Sequence, residues 1–266
     1  MGNTNMNKNN NLVVIRVSIA FIVWFAAYWG ISLLCDRVLL HVPEIVELVV
    51  QVIASYSIPL ILVFPILRGM TKAQSGTPVV EPSVQNITKM FLIQSGFSVM
   101  ALSAVTIILR VLNLDVAQTQ DDSELIKQYP LIMMVLLLVF SPIVVEFLFR
   151  GLIFDRLVVL GTKKAILLSA LFYSIPFLIF KGPSLFFYSF VLGLSFGYTK
   201  ARTKKLWPCI VLNVLDSIYY RFLLALLYPL ETTLSLMIFV FVYILAIPIT
   251  AIVLVIVNRR KLVISP

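Results

Sequence analysis

The chain has 266 residues, of which 61% are hydrophobic and only 12% charged, and its mean hydropathy is +1.03. A soluble domain is nearer half apolar and about a quarter charged, so these values exclude a water-soluble enzyme, a disordered chain and a fibrous repeat. The net charge of +9 reads as basic loops that orient a membrane protein, and nucleic acid is not an expected partner.

Residues 1–11 are polar and rich in Asn, lack a cleavage pattern, and read as a cytoplasmic N-terminus ahead of a retained helix. Apolar stretches then predict spans at 12–35, 43–67, 88–112, 130–149, 164–180, 184–199, 206–227 and 234–257. The expected fold is an all-α integral membrane protein of about eight transmembrane helices. Residues 12–129 form an N-terminal helical part, 130–227 a core, and 228–266 a last helix with a basic tail. The fifth and sixth stretches flank Lys181, Gly182 and Pro183, so one re-entrant hairpin is an alternative to two full spans.

The basic residues sort by side. Lys8, Arg16, Arg68, Lys72, Lys89, Arg156, Lys163, Lys164 and the Lys/Arg of 200–205 and 259–261 fall on one side, read as cytoplasmic. Arg37, Arg110, Lys127, Lys181 and Arg221 fall opposite, with Asp36, Glu44, Glu47, Asp115, Asp121, Asp122, Glu124 and Glu231. This pattern places both termini in the cytoplasm, and an odd number of spans would scramble it. The run at 200–205 reads as a loop meeting anionic lipid. Trp24, Trp29 and Trp207 read as interface anchors or packing.

Ionisable groups inside apolar segments are costly, so their positions carry information. Glu146 and Arg150 lie four apart at the inner end of the fourth stretch and share a helix face. They read either as a carboxylate positioned by an arginine or as a self-neutralising pair that pins the helix. Spacing favours the pair. Asn213, Asp216 and Ser217 share a face of the seventh stretch. They read as a polar pocket facing Glu146 or as hydrogen-bonding glue between helices. Gly193 and Gly197 have the spacing that permits close helix approach. Cys35 and Cys209 make no disulfide framework, and the single His41 makes no multi-histidine centre, so neither metal nor cofactor is expected.

The order of these features resembles the CPBP family of CAAX-protease-like, or Abi-domain, membrane proteins. The resemblance covers about 130–220 and implies a CAAX-protease-like bundle. A Glu-Glu-x-x-x-Arg motif maps to Val145, Glu146 and Arg150 with Gly151 following. A Phe-x-x-x-His motif maps to Phe172 through Pro176. A His-x-x-x-Asn or Asp motif, placed by Trp207 and Pro208, maps to Asn213 through Ser217. In active members the first Glu is the base on water, and the two His and the Asn bind and polarise the scissile group. Here those four positions are Val145, Pro176, Asn213 and Ser217. Val145 accepts no proton, and Pro176 offers neither a titratable side chain nor an N–H. Glu146 sits about 100° around the helix from position 145, so it replaces the base only if the helix is deformed. Asp216 is displaced by one position in the same way.

This form resembles a degenerate branch in Gram-positive bacteria that includes the staphylococcal lysostaphin-resistance protein and streptococcal Abi-domain regulators. The resemblance implies a non-catalytic protein of the bacterial cell membrane that binds another integral membrane protein, a sensor histidine kinase or a cell-wall enzyme. The retained polar core would be Glu146, Arg150, Asn213 and Asp216. Competing expectations are an intramembrane endopeptidase for CAAX-type proteins or peptide precursors, and a bacteriocin self-immunity protein. A transporter fits less well, because the polar groups are few and confined to one half of the chain.

Overall fold

The structure, a computed structural model, describes residues 2–39, 41–71, 80–114, 123–222, 237 and 240–262. Among these, every regular element is helical, as lipid requires of a backbone that must satisfy its own hydrogen bonds. Helix α1 spans Gly2–Val38, α2 Glu44–Leu67 and α3 Val84–Val111. Helix α4 runs from Pro130 to Leu160. It is followed by α5 Thr162–Lys181, α6 Pro183–Thr203, α7 Trp207–Ser217 and α8 Ile247–Leu262. Of the charged residues sorted by side, Lys72, Asp115, Asp121, Asp122 and Glu231 lie outside the described residues, as do the side chains of Lys8, Glu124, Arg221, Arg260 and Lys261. The end of the expected seventh span and the start of the eighth lie outside them too.

Among the described residues, six stretches are long and apolar enough to cross a membrane: Asn10–Val38, α2, α3, α4, α5 and Phe241–Arg259. The chain is therefore a multi-pass membrane protein. The expected total of eight also needs α6 and α7. At about 1.5 Å per residue, the 21 residues of α6 are long enough to cross. Its apolarity is lower because it is the most enclosed helix, with Ser184, Ser189, Ser195 and Thr199 all buried. A helix wrapped by other helices needs no lipid-facing apolar surface.

The solvent logic is inverted relative to a soluble protein. Ile61, Val111, Phe241 and Val257 project outward, whereas Gln94, Ser98, Glu146 and Arg150 are buried. Helices α5 and α6 form an antiparallel hairpin that turns on Gly182, whose φ of +85° suits glycine. They are two separate helices of 20 and 21 residues. Their seam is close: a Cβ on Gly193 would lie 2.8 Å from Ala170 Cα, and one on Gly197 would lie 3.4 Å from Ile166. The small-residue spacing at 193 and 197 thus marks a helix contact. Gly193→Leu should lower the melting temperature in detergent by the equivalent of about 1–3 kcal/mol of overpacking. Gly30→Leu, at a position with nothing within 4 Å, should leave it unchanged. Equal melting temperatures for the two variants would contradict the packing.

Three expectations need correction. First, α4 does not stop at 149 but continues to Leu160, because Arg150 and Arg156 are buried and bonded rather than exposed at a helix end. Second, Arg156 is interior, not a loop charge. Its Nε donates to Leu67 O at 3.2 Å, closing the C-terminal end of α2, and its Nη1 donates to Leu152 O at 2.7 Å. A cation there also complements the helix dipole. Third, residues 200–203 belong to α6, and Lys200 is buried with its Nζ 3.3 Å from Asp155 Oδ1. In addition, the polar 2–11 stretch is continuous with α1.

Several basic helix ends lie close together. Val80 N donates to Arg202 O at 3.3 Å, Lys205 Nζ lies 3.5 Å from Glu81, and Arg156 reaches the end of α2. The basic ends of α2, α4 and α6 and the start of α3 therefore gather at one end of the bundle. Thr106 Oγ1 bonds Ser184 Oγ at 3.0 Å at the other end of the α3–α6 pair.

Candidate functional site

Helix α4 is not uniform. Its α-helical stretch Ser141–Glu146 lies between two wider π-helical turns, Val135–Phe140 and Phe147–Phe154. Pro142, near the start of that stretch, has no N–H to return to the preceding turn. The second π turn begins directly after Glu146 and contains Arg150. Such turns are frequent at functional positions. Val145 and Glu146 both lie in the α-helical stretch, so the wide turn follows Glu146 and leaves their offset around the helix unchanged.

Glu146 and Arg150 have no exposed surface. Glu146 Oε2 lies 3.4 Å from Arg150 Nε, an ion pair without hydrogen-bond alignment. Glu146 Oε1 accepts from Asn213 Nδ2 at 2.8 Å, tying α4 to α7. Arg150 Nη2 donates to Gly193 O at 2.9 Å, tying α4 to α6. The guanidinium carbon also sits 4.7 Å from the centre of the Tyr173 ring, 5.2 Å from Phe196 and 5.9 Å from Phe149. A desolvated cation over aromatic faces gains about 2 kcal/mol or more. The cluster therefore joins four helices through one ion pair, two hydrogen bonds and three rings.

The expected polar face of α7 divides. Asn213 meets Glu146, but Asp216 Oδ1 accepts from Tyr188 Oη of α6 at 2.9 Å. The Tyr188 ring in turn lies 4.7 Å from that of Tyr220. Ser217 is buried at the end of α7. Val145 is half-buried against the apolar core, and Pro176 is half-buried within α5. Trp24 is a packing residue, its ring 5.7 Å from Phe149 in an edge-on arrangement, while Trp29 and Trp207 are exposed.

Other members of the cluster were not legible in advance. The Gly193 carbonyl carries no side-chain signal, and Phe149, Tyr173 and Phe196 look like ordinary apolar positions until the helices are packed. Gln94 is a further cross-link: its Nε2 donates to Leu212 O at 3.1 Å and its Oε1 accepts from Ser195 Oγ at 3.2 Å. A buried glutamine in an apolar span was the available signal.

The chemistry of this arrangement is constrained. Hydrolysis needs a base in contact with water and donors aimed at the developing oxyanion. Val145 supplies no base. The Glu146 carboxylate is enclosed between a guanidinium and an amide, and Asn213 directs a donor at that carboxylate. Among the described residues, no three of His, Cys, Asp and Glu converge as metal ligands.

The Type II CAAX prenyl endopeptidase Rce1-like family model matches residues 127–219. That stretch contains α4 to α7 and the whole Glu146 cluster, and it bears out the resemblance read from the motifs. No curated protein and no solved structure matches the chain. Residues 127–219 are thus CAAX-protease-like, set within a multi-pass membrane protein.

Proposed function

We propose that this CAAX-protease-like membrane protein is non-catalytic and acts by lateral association with another integral membrane protein. By the family resemblance, that partner is a sensor histidine kinase or a cell-wall enzyme, in a bacterial cell membrane with both termini cytoplasmic. The observation that carries the reading is the state of Glu146, the one carboxylate of the first motif pair. It is fully buried and engaged by Arg150 and Asn213, beside a valine where the base of active members stands. In this reading Val145, Pro176, Asn213 and Ser217 mark a lost centre. Glu146, Arg150, Asn213 and Asp216 serve as its retained structural core.

Cross-linking in native membranes followed by affinity capture tests the association. The expected result is one integral membrane protein recovered in near-stoichiometric amount and lost when solubilised membranes are diluted before cross-linking. Recovery of lipid and chaperones alone would contradict the reading.

One observation favours the alternative of an intramembrane endopeptidase. The hydrogen bond from Asn213 brings the remaining carboxylate to a residue of the third motif. Bacteriocin self-immunity is compatible with either mode, since immunity by binding needs no base.

A further inference from the structure

Gln94 lies in the first half of α3, outside the stretch 127–219 that carries the family match. It is 1% exposed, and its carboxamide reaches two other helices. The orientation of that carboxamide is fixed by its partners. The Leu212 carbonyl of α7 only accepts, so Gln94 Nε2 faces it, at 3.1 Å. Gln94 Oε1 is then left to accept from Ser195 Oγ of α6 at 3.2 Å.

Both partners sit beside the contacts of the buried ion pair. Leu212 immediately precedes Asn213, whose Nδ2 donates to Glu146 Oε1 at 2.8 Å. Ser195 lies just beyond Gly193 on α6, and the Gly193 carbonyl accepts from Arg150 Nη2 at 2.9 Å. Helix α6 therefore holds Arg150 and Gln94 at neighbouring heights, and Gln94 passes that reference to α7 at the residue before Asn213. Tyr188 fixes α7 again at Asp216, about one turn further on. Successive residues of a helix are about 100° apart, so a rotation of α7 that breaks the bond at Leu212 also swings Asn213. The bond to Glu146 tolerates little of this, because hydrogen bonds weaken steeply as their angle closes.

We propose that Gln94 is a positioning residue for the Glu146–Arg150 centre. It acts through Asn213, by setting the rotation of α7 against α6, and so makes α3 part of a site whose charged members all lie within 127–219. Polar bonds between membrane helices ordinarily act as glue. Glue predicts lost stability alone, whereas positioning predicts a change at the Glu146 carboxylate itself. The inference does not depend on whether the centre hydrolyses peptides or supports a partner, because it concerns only where the donor to Glu146 stands.

Isotope-edited infrared spectroscopy of the full chain in nanodiscs tests this, with glutamate labelled at its side-chain carboxylate. The Glu146 band is isolated by subtracting the spectrum of the Glu146→Gln, Arg150→Met double variant. Asn213→Ala gives the reference shift for loss of the hydrogen bond to Glu146. Gln94→Met, which keeps the side-chain length without the carboxamide, should shift the band in the same direction by at least half as much. In the Asn213→Ala background it should add no further shift. Ser195→Ala frees one side of the carboxamide and should give a smaller shift in the same direction; it carries the test if Gln94→Met does not accumulate. Tyr243→Phe, which loses the bond to Tyr219 O at 3.0 Å, should lower the melting temperature without moving the band. An unmoved Glu146 band in Gln94→Met, or in Ser195→Ala where that variant carries the test, would make Gln94 glue and overturn the proposal. A Gln94→Met shift that persists undiminished in the Asn213→Ala background would also overturn it, by removing Asn213 from the route.

Discussion

Glu146→Gln should destabilise the protein in detergent by about 3–5 kcal/mol, because it leaves a buried guanidinium without its counter-charge. The ion pair at 3.4 Å is lost while Arg150 stays fully enclosed. The Gly193 carbonyl and three aromatic faces still hold the cation, which places the loss toward the lower end of that range. Arg150→Met should cost a similar amount, since it leaves the carboxylate with one amide donor from Asn213. The double variant should recover most of the loss. A glutamine keeps a partner in Asn213, and a methionine packs among Phe149, Tyr173 and Phe196. Replacing both members of a buried pair by uncharged residues of similar volume is often neutral. Melting temperatures of the parent, both single variants and the double variant in one detergent would measure the coupling. Additive losses, or single variants as stable as the parent, would show that the pair holds nothing together.

Much of this arrangement was legible in the sequence, for definite reasons. The helices follow from long apolar runs, since lipid leaves the backbone no other solution than helix or closed barrel. The Glu146–Arg150 pairing follows from a four-residue spacing on one helix. The α5–α6 seam follows from Gly193 and Gly197. What escaped was burial of charge. Arg156 and Lys200 look like loop residues because a basic residue near a span end is ordinarily in water or at the headgroups. Their partners are remote in sequence: Arg156 bonds a carbonyl 89 residues away, and Lys200 meets Asp155 from another helix. The same cause hid the true end of α4. An arginine at 150 looks like a terminus until α6 supplies a carbonyl and its neighbours supply rings.

The split of the α7 face escaped for a different reason. Asn213 and Asp216 are three apart and share a face by helix geometry, yet they meet different helices. Asn213 reaches α4, whereas Asp216 is taken by Tyr188 of α6. Spacing defines a face, but the identity of the neighbouring helix decides what the face touches. The π turns of α4 carry no periodic signature that apolar spacing reveals, although Pro142 marks where the ladder is interrupted.

The second large effect concerns catalysis. A hydrolase of this class needs a carboxylate that takes a proton from water while donors receive the oxyanion. On the proposed reading, Val145, Pro176 and the engaged Asn213 do not supply that set, and turnover is expected to be absent rather than reduced. The Glu146→Gln, Arg150→Met double variant is the proper comparison, because it lacks the carboxylate and is expected to stay folded. Glu146→Gln alone would confuse lost activity with lost structure.

The most direct measurement is cleavage of a prenylated CAAX peptide and of a leader-peptide library by the purified chain in nanodiscs. The double variant and an active CAAX protease would be assayed beside it. The expected result is no cleavage above the level of the double variant, while the active protease cleaves under the same conditions. Cleavage by the parent chain that disappears in a well-folded double variant would contradict the non-catalytic reading and make Glu146 the base.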